Sequence, residues 1–197
     1  MKKFKLRDVK IQKVDPGQLN DRLLLINLYL TQGLTLLIGL VILLFQKRNP
    51  FHLFQFPNSV EFVYWGAGFA AVMFGADMLL SRFISEESMD DGGINSLLFR
   101  HRPIWHIVVI SVVVAVCEEL LFRGAIQYGL GPYWTSILFA AIHVRYLRHW
   151  IPTAWVFASS YGLGFIYVQT GTLWAPILCH FLIDLVSGLV IKFRRES

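Results

Sequence analysis

The stretch VCEELLFRGA, residues 116–125, places two adjacent glutamates and an arginine at the end of IWHIVVISVVVAV, a run otherwise fit for a bilayer. A charge at mid-membrane costs roughly 2.5–3.5 kcal/mol even on lenient insertion scales. A fold that keeps these side chains at that depth must supply them with partners. They therefore belong inside a helical bundle and not against lipid.

Composition decides between a membrane and a large soluble core. Hydrophobic residues make up 55% of the 197, and charged residues only 16%, against about 25% in globular chains. Mean hydropathy is +0.54, as expected of an integral membrane protein. Six segments meet the length and hydropathy criteria for spans, at 22–45, 60–83, 104–123, 133–148, 151–169 and 173–191. Strands are excluded because the apolar runs are long and continuous, and an open sheet leaves unsatisfied edges in lipid. The expected fold is all-α: a polytopic integral membrane bundle of about six transmembrane helices.

The chain divides into a basic tail (1–21), two spans with a long polar connection (22–103), a core of four spans (104–191) and a short basic tail (192–197). The basic start leads into no short apolar segment with a cleavage site, so it reads as a tail and not as a signal peptide. With the N-terminus inside, all of the 18 Lys and Arg except Lys47, Arg48 and Arg123 fall on the inner side. The positive-inside rule then puts both termini in the cytoplasm. The net charge of +5 faces anionic inner-leaflet lipid and calls for no nucleic-acid partner. Cys117 and Cys179 lie in apolar segments and read as packing residues.

Ionisable residues within spans are functional candidates by default. Asp77 and His106 lie near helix ends and are assigned structural or interfacial roles. The others fall on the last four spans. Glu119 and Arg123 are spaced i,i+4 and can pair along one helix, while Glu118, rotated about 100° away, points elsewhere. Phe139 and His143 share a face, as do His180 and Asp184. Two histidines and two further carboxylates on three apolar helices are most economically housed in one polar pocket. Such a pocket holds a general base together with hydrogen-bond donors or ligands for a divalent metal, which is equipment for activating water against a carbonyl.

The same residues carry a resemblance. EELLFR at 118–123, FAAIH at 139–143 and HFLID at 180–184 are similar to the EExxxR, FxxxH and HxxxN/D motifs of the CAAX protease and bacteriocin-processing family (CPBP, or Abi), which includes the type II CAAX prenyl endopeptidases. The likeness covers roughly 104–191. It implies an intramembrane endopeptidase acting on a membrane-associated peptide or protein, in which Glu118 and His143 activate water. His180 and Asp184 would serve as oxyanion stabilisers or, with Glu118 and His143, as ligands of a divalent metal such as zinc. Glu119 and Arg123 would support the helix and orient Glu118. A bacterial cell membrane is the expected location.

Two other classes fit the same residues: a catalytically silent immunity or binding protein of the same fold, and a proton relay or transporter. The latter is weakened by the lack of an evident inverted repeat. One conflict stands within the sequence itself. In straight helices Glu118 lies about 20 Å from the cytoplasmic start of its span, whereas His143 lies about 6–8 Å from the cytoplasmic end of its own. They meet only if a helix is broken, tilted or shorter than its hydropathy suggests.

Overall fold

A computed structural model describes residues 21–80, 82–83, 93–144, 146–147 and 149–194. Residues 1–20 and 195–197 of the expected tails 1–21 and 192–197, and residues 84–92 of the polar connection, lie outside these residues. The described chain is helical throughout, without strands: α1 (Asp21–Phe45), α2 (Pro50–Leu53), α3 (Glu61–Leu80), α4 (Ile94–Phe99), α5 (Ile104–Glu119), a π-helical segment (Leu120–Ile126), α6 (Gln127–Ile142), α7 (Trp150–Thr170) and α8 (Trp174–Phe193).

Five stretches are long and apolar enough to cross a membrane, and the third runs 39 residues from Ile104 to Ile142. Straight, it would measure about 58 Å, nearly twice a hydrocarbon core. It does not run straight. Gly131 adopts φ 73° and ψ 171°, a region open to glycine, and Pro132 then starts the return limb with the φ that a first helical turn needs. The reversal is measured by Phe122 and Phe139, whose rings lie 4.8 Å apart. Along an unbroken helix they would be about 26 Å apart. The third and fourth expected spans are thus the two limbs of one hairpin.

The return limb is shorter than its hydropathy suggests, ending at Ile142 and not near 148. His143 ends it: its Nδ1 donates to the Phe139 carbonyl over 2.7 Å, and its backbone N–H turns to Ala140. Folding back from Gly131 sets His143 level with the last turn of α5. This resolves the depth conflict.

The bundle wears its hydrophobicity outward, as lipid demands. On α1 only Gln32, Gly39 and Leu43 are buried, while Leu30, Leu34, Leu37 and Leu44 are exposed. Close helix contacts use small residues. A Cβ on Gly39 would stand 3.2 Å from Leu121 Cα, and one on Gly66 only 2.7 Å from the Ala175 carbonyl oxygen. On α7, a Cβ at Gly162 would run into the Phe69 ring and one at Gly164 would meet Gln127.

The π segment is held from outside. Wider i→i+5 turns leave carbonyls in need of other donors. Arg48 Nη1 donates to the Gly124 carbonyl and Gln46 Nε2 to that of Ala125, both from just beyond α1. At the other end of the bundle Asp21 pairs with Arg102, and Lys192 donates to the Arg102 carbonyl. The starts of α1 and α5 and the end of α8 therefore share one side.

Candidate active site

The last turn of α5 carries Glu118 and Glu119, and their rotation about the helix sends them to different neighbours. Glu119 is fully buried. It accepts a bond from Arg123 Nη1 at 3.0 Å and one from His180 Nδ1 at 2.7 Å. Arg123, also fully buried, reaches α7, where Nη2 donates to the Ser160 carbonyl at 2.8 Å and to Ser160 Oγ at 2.9 Å. Its guanidinium carbon lies 5.2 Å above the Phe139 ring. One network of charge-assisted bonds thus ties α5, α7 and α8 together at mid-bundle.

Glu118 turns to α1. Gln32 Nε2 donates to its Oε1 at 3.0 Å, and its Oε2 is buried without a hydrogen-bond partner. The His143 ring stacks on Phe139 at 4.5 Å. A carbonyl only accepts, so the bond to Phe139 places the proton on Nδ1 and makes Nε2 the acceptor of the neutral ring. His180 keeps Nδ1 on Glu119, and its Nε2 lies 3.7 Å from Asp184 Oδ2 one turn along α8.

Glu118, Phe139, His143, His180 and Asp184 all line one cavity of about 480 Å³ between α1, α4, α5, α6, α7 and α8. Much of the remaining wall is apolar, with Leu24, Leu28, Phe99, Ile110 and Leu163. Trp155 is part of that wall, while Trp134 and Trp150 are exposed on the outer surface. Glu119 and Arg123 stand behind the cavity.

Among the described residues, no three His, Cys, Asp or Glu side chains are grouped so as to hold one ion. His143 commits Nδ1 to Phe139 and His180 commits Nδ1 to Glu119, outer contacts that histidine ligands commonly make. Glu118, Asp184 and the two Nε2 atoms are therefore the groups that would hold a divalent ion, which would polarise a carbonyl or acidify a bound water.

Sequence reasoning missed two members of the site. Gln32 is a neutral amide in the apolar run LLLINLYLTQGLTLL, and an inventory confined to ionisable groups passes over it. Ser160 likewise carries no charge, yet it is the partner that locates Arg123. The pairing of Glu119 with His180 was also missed, because no helical periodicity links residues 61 positions apart.

Apolar helices closed around a carboxylate–imidazole cavity define a polytopic membrane protein with an intramembrane acid–base pocket. The chain matches the family described as "Type II CAAX prenyl endopeptidase Rce1-like" over residues 100–186, a range that contains all four cavity-lining ionisable residues. It is also 38% identical over 137 residues, 70% of its own length and 72% of the relative's, to the "Uncharacterized protein YpbD" of Bacillus subtilis (strain 168). No solved structure matches it. The protein belongs to the CAAX protease family of integral membrane proteins.

Proposed function

We propose that the protein is an intramembrane endopeptidase that hydrolyses a peptide bond of a membrane-associated peptide or protein with water activated by Glu118 and His143. The observation that carries this reading is the buried, unpartnered Glu118 Oε2 in a cavity lined also by His143, His180 and Asp184. An acceptor so placed is available for the proton of a water molecule, at the depth where an apolar substrate segment lies.

The steps balance without a further reagent. Glu118 Oε2 takes a proton from water, with His143 Nε2 as second acceptor, while the water oxygen adds to the scissile carbonyl carbon. In its doubly protonated form His180 donates from Nε2 to the developing oxyanion, with Nδ1 held on Glu119. As the carbon–nitrogen bond breaks, Glu118 returns its proton to the leaving nitrogen, giving a new amine and a new carboxylic acid, which loses its proton to solvent on release. Arg123 and Ser160 fix Glu119, and Glu119 fixes His180.

The end of the bundle holding Asp21, Arg102 and Lys192 is assigned to the cytoplasm of a bacterial cell membrane. This is supported by Arg22, Arg100, Arg102, Lys192 and Arg194 near that end, against Lys47 and Arg48 at the other. The test is a comparison, by mass spectrometry, of peptides released from membranes holding wild type, Glu118→Gln or His143→Ala at matched expression. Peptides specific to wild type are expected. Identical profiles in a host that holds candidate substrates would overturn the reading in favour of a silent member or a relay.

A further inference from the structure

We infer that Gln32, from a helix outside the 100–186 family match, is the positioning residue of Glu118, an inference that rests on the protease reading above. Gln32 is one of only three buried residues on α1. Its amide is the hydrogen-bond partner of the Glu118 carboxylate, donating to Oε1 at 3.0 Å.

The chemistry of the contact is asymmetric. The Nε2 donor occupies Oε1 and leaves Oε2 without a hydrogen-bond partner. Gln32 Oε1 is itself a buried acceptor without a partner, as is Glu118 Oε2, and both residues line the same cavity. Two acceptors on two side chains already bonded to each other match the two protons of one water molecule. Gln32 therefore does two things. It fixes which carboxylate oxygen is presented, and it offers the second acceptor that orients the water whose proton Glu118 removes. Neither task shows in the motif EELLFR, because the partner comes from 86 positions away.

A purely structural Gln32 would bury a polar group for packing alone, and its loss would lower stability and activity in parallel. The test separates these cases with a readout that does not need activity. Full-length wild type, Gln32→Leu and Gln32→Met are reconstituted in liposomes and treated with dicyclohexylcarbodiimide, which modifies carboxyls in their protonated form. Labelling at Glu118 and at Glu119 is quantified by peptide mass spectrometry. An amide donor favours the ionised carboxylate, so its removal should speed Glu118 labelling at least threefold, with Glu119 unchanged because Arg123 and His180 still hold it. Methionine keeps the unbranched stem should leucine disturb the fold.

Cleavage of a peptide identified as Glu118-dependent should show kcat reduced about 10–100-fold, less than the roughly 10²–10⁴-fold that a positioned acid–base group itself contributes, with KM within twofold and the unfolding midpoint unmoved. Unchanged Glu118 labelling in both variants would overturn the inference whatever the protein does. Accelerated labelling without Glu118-dependent peptide release by wild type would instead overturn the protease reading. Activity that falls only in proportion to stability would reduce Gln32 to a packing residue.

Discussion

Replacing Arg123 with methionine keeps an unbranched stem in a fully buried site and removes three bonds at once, to Glu119 at 3.0 Å and to the Ser160 carbonyl and hydroxyl at 2.8 and 2.9 Å. Glu119 is then a carboxylate with no exposure whose remaining hydrogen bond comes from His180. Breaking a buried pair on one side costs about 3–5 kcal/mol, because the surviving charge is uncompensated. Replacing the whole pair by apolar residues is often neutral or stabilising. Arg123→Met combined with Glu119→Met should therefore recover at least about 2 kcal/mol of the single variant's loss, even though His180 gives up an acceptor. Denaturant titration in detergent, followed by tryptophan fluorescence for wild type, both single variants and the double, gives the coupling energy directly. An Arg123→Met protein within about 1 kcal/mol of wild type, or a double variant destabilised by the sum of the singles, would refute the buried network as described.

Three further substitutions probe the helix contacts. Gly66→Ala should destabilise by about 1–3 kcal/mol, the usual range for overpacking, since its Cβ would stand 2.7 Å from a rigid backbone oxygen on α8. Gly68→Ala, with nothing within 4 Å of the added carbon, should be neutral or slightly stabilising in the same titration. Arg48→Met removes the donor to the Gly124 carbonyl and the guanidinium stacked 4.2 Å from the Tyr128 ring. It should cost about 1–3 kcal/mol and speed amide exchange in the π segment ahead of the rest of α5.

The helices and the cavity-lining residues were legible in the sequence because both follow from local periodicity. Apolar runs of membrane length admit only helices, and i,i+4 spacing puts Glu119 with Arg123, Phe139 with His143 and His180 with Asp184 whatever the tertiary fold. The turn at GLGP was readable too, since glycine followed by proline both permits a reversal and restarts a helix. Long-range choices were not readable. Whether His180 meets Glu118 or Glu119 depends on the rotation of α8 against α5, and no pattern in either segment fixes it. The π segment leaves no trace in LLFRGAI, because its stability comes from Gln46 and Arg48 across the bundle. The end of α6 was overextended because Val144 and Leu147 continue the hydropathy past the point where the His143 side chain takes the Phe139 carbonyl.

The central claim is that Glu118 activates water for peptide-bond hydrolysis. Its most direct test uses purified wild type and Glu118→Gln in liposomes, with a precursor peptide found by the membrane comparison, in water enriched in oxygen-18. One heavy oxygen is expected in the new C-terminal carboxyl group, with a rate about 10²–10⁴-fold higher for wild type than for Glu118→Gln, the usual contribution of a positioned acid–base group. A Glu118→Gln protein that releases the labelled product at the wild-type rate would contradict the claim.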